Sequence, residues 1–268
     1  MDDLFFEKCI VESSGFDIEY AKSNSKWRLL ESLFNNDTTT NSPIPKIFHF
    51  IWLGGKLPKM YEDNIADWKS KNQDFEVKIW DDNSSDSIVK KYNKYDLFKS
   101  AKNFGVKSDI LRYVILHEFG GIYVDTDFIC LSSKFCEVVD SCSFFAGVML
   151  DKDPVIGNSI IGASKQNKII LNCLEKCSDQ THKHIQCYAT RTLYQTGPFL
   201  LTECVFSNMD NGIKIFPTKT FFAFPAIHRN IATPDLVKKY LIEDSLACHL
   251  WHCSWQQDSR FYVGENNA

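Results

Sequence analysis

This sequence predicts an α/β fold with a doubly wound, mixed but mainly parallel central sheet flanked by helices, and three observations carry that prediction. The run Lys46–Trp52 is rich in β-branched and aromatic residues and ends at Gly54-Gly55, as a buried strand does before a turn. A helical pattern through Met60–Lys71 follows, and a second strand-like run, Phe75–Trp80, comes after it. Strand, helix and strand in that order make a βαβ unit, whose crossover sets the two strands parallel.

The elements follow in chain order. Residues 1–34 read as helices, because Leu4, Phe5, Cys9, Trp27, Leu30, Leu33 and Phe34 recur at helical intervals. That spacing favours packing on the main domain over docking to a membrane, a partner or an acceptor. The polar stretch Asn35–Pro43 reads as a linker, which divides the chain into an amino-terminal helical extension, 1–42, and a main domain, 43–268. The second strand ends in an acidic, polar loop, Asp81–Ser85. Val106–Phe119 is the clearest helix, with Val106, Ile110, Leu111, Val114 and Ile115 as its apolar stripe. Gly120-Gly121 stops it, since glycine accepts the left-handed cap. Ile122–Leu131 is expected as one strand interrupted by an acidic pair, followed by helices over Pro154–Cys177 and Arg191–Ser207 and a short strand at Ile213–Pro217.

Composition excludes several classes of function. Of 268 residues, 44% are hydrophobic and 24% charged, which suits a single globular domain with a full core. The net charge of -4 and the lack of a Lys/Arg block argue against a nucleic-acid partner. The start, Met1–Lys8, lacks the basic leader and apolar run of a signal peptide, and no stretch approaches the roughly 20 apolar residues of a membrane span, so a cytoplasmic protein is expected. The 10 cysteines form no C-x-x-C and read as free thiols. Cys173, Cys177, His182, His184 and Cys187 lie close enough in sequence to consider zinc, but their spacing fits no standard site, and thiols buried on a helix face account for the first two.

The chemistry concentrates at Ile122-Tyr123-Val124-Asp125-Thr126-Asp127-Phe128-Ile129. In an extended segment residues two apart project to the same side, so Asp125 and Asp127 are expected together with Thr126 turned away. Two carboxylates among apolar neighbours are costly without a positive partner, and Mn2+ or Mg2+ prefers such oxygen ligands. A diphosphate would complete the ion's shell. Ser108, Asp109 and Arg112 lie on the preceding helix. Asp109 and Arg112 are three apart and share a face, so an Arg there can reach phosphate or hydroxyl groups unless the two simply form a surface ion pair.

Ser108-Asp109-Ile110-Leu111-Arg112-Tyr113, then Gly120-Gly121-Ile122-Tyr123-Val124-Asp125-Thr126-Asp127, resembles the signature of the glycosyltransferases with the DXD sugar-binding region. That family includes yeast outer-chain mannosyltransferases, bacterial capsular and oligosaccharide transferases and, more distantly, the large clostridial glucosylating toxins. The opening Ile44–Gly55 is similar to the toxin-like members, and the resemblance runs from about Pro45 to Trp255. It implies a GT-A-type, Rossmann-like domain and retention of anomeric configuration. It assigns Trp52 to the nucleotide base, and Ser108, Asp109, Arg112 and Tyr123 to the donor. Asp125, Asp127 and His249 fall to the metal, with Asp109, Arg112, Asp125 and Asp127 as the catalytic set. Ser254 and Trp255, in His249-Leu250-Trp251-His252-Cys253-Ser254-Trp255, would contact the leaving group, although Cys253 replaces the usual Gly and His252 is a second available imidazole. Thr196-Gly197-Pro198 matches a turn that lies near donor sugar and acceptor in the family, and Asn158 falls in its substrate-side segment.

The implied activity is metal-dependent transfer of a hexose from a nucleotide-sugar, with a UDP-hexose favoured over GDP-mannose, to a glycan acceptor. The alternatives are a toxin-like transferase acting on a protein side chain and a non-catalytic sugar-nucleotide- or zinc-binding module. No transmembrane segment is expected, and peripheral membrane contact stays open.

Overall fold

The structure, a computed structural model, describes residues 4–11, 16–35, 40, 42–149 and 153–252. The chain opens with helices α1 (Leu4–Cys9), α2 (Ile18–Ser23) and α3 (Ser25–Asn35), then enters β1 (Ile47–Ile51), α4 (Lys59–Lys71) and β2 (Glu76–Trp80). Helices α5 (Asp82–Val89), α6 (Tyr95–Ser100) and α7 (Phe104–Phe119) lead to β3 (Gly121–Val124) and β4 (Phe128–Cys130). Then come α8 (Phe135–Ser141), β5 (Phe144–Met149), β6 (Val155–Ala163), α9 (Lys168–Lys176), α10 (Tyr188–Gln195) and α11 (Pro198–Ser207). The last elements are β7 (Ile213–Phe216), α12 (Thr218–Phe221), a 3-10 turn at Ala226–Ile231, α13 (Pro234–Lys238) and β8 (Ala247–His249).

Six strands form one sheet in the order β2-β1-β3-β6-β5-β7, and β4 and β8 form a two-stranded ribbon. The β2-β1, β1-β3 and β5-β7 pairs are parallel, and β3-β6 and β6-β5 are antiparallel, so the sheet is mixed and mainly parallel as predicted. Alternate residues of each strand feed opposite cores. Phe48 and Phe50 of β1, Ile122 and Val124 of β3 and Phe145 of β5 pack with α4, α8 and α12. Ile51, Tyr123, Phe144 and Ala146 pack on the other face with α7, α9 and α11. Phe5, Phe6, Trp27, Leu30 and Leu33 join this second core, so α1 and α3 pack on the domain, as their spacing favours.

Helix α7 is buried nearly all round, which explains why its apolar residues overflow a single stripe. Asn103 caps its start through a 2.6 Å bond to the Gly105 amide. Gly120, at φ 66°, ends it, and a Cβ there would stand 2.7 Å from the Lys165 nitrogen and 2.8 Å from Pro45 Cδ. His49 anchors the same turn. Its Nδ1 accepts from Trp80 Nε1 at 3.2 Å, which leaves Nε2–H to donate to the Gly120 carbonyl at 2.8 Å. Burial pushes the His49 imidazole down to about 4, so it stays neutral.

Several sequence expectations give way. The helix expected over 154–177 is β6 followed by the shorter α9. Val155–Ala163 is buried at every position, so it shows no alternation, and a fully buried strand looks like a buried helix to periodicity. The 191–207 helix is two, α10 and α11, broken at Thr196-Gly197. Asp81–Ser85 is no loop: Asp81 accepts from the Ser84 amide in a capping box and starts α5. Strand β5 was not anticipated at all. Its partner register sets Phe145 opposite Gly162, and a Cβ on Gly162 would lie 2.0 Å from Phe145 Cε1. Gly162→Ala should therefore cost about 1–3 kcal/mol and lower the melting temperature by several degrees in a thermal melt. An unchanged melt would mean that Phe145 does not cross β6 there.

Candidate functional site

The parallel strands β1 and β3 end on the same edge of the sheet, where α/β domains bind ligands. Because β6 runs antiparallel to β3, its amino-terminal half, with Asn158, lies at that edge too. A cleft of about 410 Å³ opens there, lined by Trp52, Tyr61, Ser108, Asp109, Arg112, Tyr123, Asp125, Asp127, Asn158, His249 and His252 among others. Its size suits a small-molecule ligand.

The acidic pair does face this cleft together, but not by strand alternation. Asp125 follows the last residue of β3, and its amide donates to the Ser159 carbonyl at 2.8 Å. A turn follows, closed by a 3.1 Å bond from the Phe128 amide to the Asp125 carbonyl, and the chain then leaves the main sheet for β4. The expected single strand over 122–131 is thus two strands in two sheets, and the turn between them aims both carboxylates inward.

The ribbon brings in the third member. β8 pairs with β4 so that His249 stands opposite Phe128, and the two rings stack at 4.5 Å and 7°. His249 Nε2 lies 3.1 Å from Asp127 Oδ1, and the His252 amide donates to Asp127 Oδ2 at 2.7 Å. Burial works against ionising Asp127, yet the His249 imidazole and the His252 amide outweigh it and hold the carboxyl below the ordinary range. Burial raises Asp125, with Arg112 pulling the other way. Tyr123 Oη donates to Asp125 Oδ1.

Asp125, Asp127 and His249 offer ligand atoms within 4.8 Å of one another. Two atoms bound to one small dication at about 2.1 Å each sit roughly 3 Å apart, which the Asp127–His249 pair already matches. The donor set, two carboxylates and an imidazole, fits a divalent cation. The Nδ1 of His249 is buried with no hydrogen-bond partner among the described residues. The other available imidazole, His252, turns its Nδ1 to Tyr61 Oη at 3.0 Å and meets Asp127 through its backbone instead.

Asp109 and Arg112 are not a surface pair. Both are about 5% exposed, and Arg112 Nη2 lies 3.1 Å from Asp109 Oδ1. Arg112 Nη1 donates to the Asn158 carbonyl and stands 3.6 Å from Asp125 Oδ1, Nε donates to the Ser108 carbonyl at 3.3 Å, and the guanidinium lies 4.3 Å from the Tyr123 ring centre. Asp109 accepts from Asn158 Nδ2 at 2.8 Å and from Thr196 Oγ1 at 2.7 Å. Burial raises its carboxyl above the ordinary range, although Arg112, Thr196 and Asn158 oppose this. Trp52, just past β1, lines the cleft with its ring 5.1 Å from that of Tyr61.

Sequence reasoning missed Tyr61, which no pattern marks, and the part of Thr196 in holding Asp109. Cys173, on the inner side of α9, and Cys177, which caps its end, are both buried, as expected of structural thiols. Ser254 and Trp255 lie outside the described residues. Among those residues no helix is long and apolar enough to cross a membrane.

Fold and site together define an α/β ligand-binding domain with a carboxylate–imidazole cluster at the carboxyl edge of its sheet. Residues 58–144 match the family model described as the glycosyltransferase sugar-binding region containing the DXD motif. The match spans the stretch that holds Ser108–Tyr113 and Gly120–Asp127, the motifs that resemble this family. It is 26% identical over 266 residues to subversion of eukaryotic traffic protein A of Legionella pneumophila, covering 84% of this chain and 38% of that protein. It is 24% identical over 178 residues to inositol phosphoceramide mannosyltransferase 3 of Schizosaccharomyces pombe, covering 65% of this chain and 48% of that one. The chain therefore spans less than half of these relatives. Among solved structures it is similar to the PaToxG glycosyltransferase, with a TM-score of 0.47, 19% identity and coverage of 71% and 80%.

Proposed function

We propose that the cleft binds a nucleotide-sugar with a divalent cation and transfers its hexose to an acceptor with retention of configuration. The observation that carries this reading is the convergence of Asp125, Asp127 and His249 beside Arg112 in one cleft. When bound there, a dication supplies the Lewis acidity that stabilises a departing nucleoside diphosphate. Because an imidazole joins the carboxylates, Mn2+ suits the set better than Mg2+.

The chain's own residues bind and orient. Trp52 offers a flat apolar face for the base. Ser108 and Tyr123 line the donor side, and the Arg112 guanidinium lends positive charge to the floor of the cleft. Ser254 and Trp255 are assigned to the leaving diphosphate. Among the described residues, the carboxylates lining the cleft are Asp109, Asp125 and Asp127, and each is engaged. Asp109 is held through both oxygens by Arg112, Asn158 and Thr196, and the other two belong to the cation cluster. None of the three is left as a nucleophile, which supports front-face attack assisted by the leaving group, with rate drawn from orientation and charge stabilisation. The amino-terminal segment 1–42 is proposed as an extension that buttresses this domain rather than a separate unit.

A UDP-hexose is the first donor to test, and the mannosyltransferase relatives make GDP-mannose the second. A donor that binds only the folded chain raises its melting temperature. We expect stabilisation by one of these donors with Mn2+, and none with EDTA. A melting curve indifferent to every donor with Mn2+ would remove this reading.

A further inference from the structure

We propose that Thr196, at the break between α10 and α11, is a positioning residue that sets the direction of the Arg112 guanidinium through Asp109. This rests on the donor reading of the cleft. Thr196 is 1% exposed and comes from a part of the chain 87 residues away from Asp109. Its hydroxyl stands 2.7 Å from Asp109 Oδ2 and 3.4 Å from the Thr192 carbonyl. The nearer and ionisable acceptor takes the proton, since a charge-assisted bond is the stronger.

The break is built to deliver that hydroxyl. The Thr196 amide still closes the last turn of α10 on the Thr192 carbonyl at 3.0 Å, and its own carbonyl accepts from Tyr113 Oη of α7 at 2.9 Å. Gly197 permits the sharp exit, because a Cβ there would come within 2.9 Å of Leu193 Cα. Pro198 then starts α11. The carbonyl and the hydroxyl of Thr196 thus both point at α7, one to Tyr113 and one to Asp109.

The consequence falls on Arg112. Asp109 Oδ1 serves Asn158 and Arg112, while among the described residues Oδ2 takes its side-chain bond from Thr196 alone. A carboxylate fixed this way takes the guanidinium through one oxygen. The other arm, Nη1, stays with the Asn158 carbonyl and toward Asp125 at 3.6 Å. Without the hydroxyl, Oδ2 becomes a buried acceptor lacking a partner, and the donor nearest to hand is the same guanidinium. A two-pronged Asp109–Arg112 pair would then turn Nη1 away from Asp125 and the donor.

The test compares Thr196→Val, which keeps the shape and loses the donor, with Thr196→Ser, which keeps the donor. Tyr113→Phe serves as control, because it loosens the same break without touching Asp109. Donor hydrolysis with Mn2+ is followed for kcat and KM, with binding of the UDP- or GDP-sugar by calorimetry and the melting temperature for each variant. Thr196→Val should lose about tenfold in kcat/KM, Thr196→Ser should stay within about twofold, and Tyr113→Phe should melt lower with a clearly smaller loss in kcat/KM than Thr196→Val. Wild-type kinetics in Thr196→Val, or equal losses in all three variants, would overturn the role. A wild-type chain that binds neither donor removes the donor reading and this inference with it, whereas donor binding with an indifferent Thr196→Val removes this inference alone.

Discussion

Asp127→Asn is expected to lower Mn2+-dependent donor hydrolysis by roughly a hundredfold or more and to weaken the response to Mn2+, with little change in melting temperature. Asn keeps the shape of the side chain and can still accept from the His252 amide at Oδ2, where Asp127 receives a 2.7 Å bond. What it loses is the anionic oxygen 3.1 Å from His249 Nε2. A neutral amide is a poor ligand for a hard dication, so the cluster drops to one carboxylate and one imidazole. The check is a Mn2+ titration of turnover in both proteins. If the variant reaches wild-type turnover at the same Mn2+ concentration, the cluster does not hold the ion.

Arg112→Met should be the most destabilising single change at the site. Arg112 is 5% exposed and faces Asp109 at 3.1 Å and Asp125 at 3.6 Å, so its removal leaves the buried Asp109 and the part-buried Asp125 without their cation. Removing one partner of a buried ion pair costs about 3–5 kcal/mol. That is a drop on the order of 10 °C in melting temperature for a chain this size. Arg112→Lys should recover part of the stability but not the donor affinity, because an ammonium supplies charge without the fork. The loss should also depend on pH with a definite sign. Asp109 already sits above its ordinary range through burial, and losing Arg112 removes the main force opposing that rise. A carboxyl whose folded value exceeds its unfolded one binds more protons when folded, so stability rises as pH falls between the two values. The deficit of Arg112→Met against wild type should therefore be largest near neutral pH and shrink toward pH ~4, the ordinary carboxylate range. A deficit that is flat across this window would mean that Asp109 is not the stranded group.

How much of this was written in the sequence can be judged element by element. The first βαβ unit, the long helix carrying Asp109 and Arg112, its glycine stop and the acidic pair were all legible, because each is a local matter. Helical periodicity, glycine backbone freedom and the cost of grouped carboxylates act within a few residues. Strands β5 and β6 were not legible, because a strand covered on both faces shows no alternation of apolar and polar residues to mark its period, and Asn158 was reached through the family resemblance alone. The turn at Thr126-Asp127 escaped for a related reason. Nothing nearby in the chain says that Phe128 will leave the main sheet to pair with His249.

The sequence by itself therefore determined which chemical groups this protein owns and on which helix or strand most of them ride. Only the tertiary structure decided which of them meet. Asp127 and His249 are separated by 122 residues, and Asp109 and Thr196 by 87. Their contacts exist because β8 pairs with β4 and because α10 breaks against α7. Pairing and packing of that kind depend on how all the apolar faces bury one another at once, and no local window of sequence contains that information.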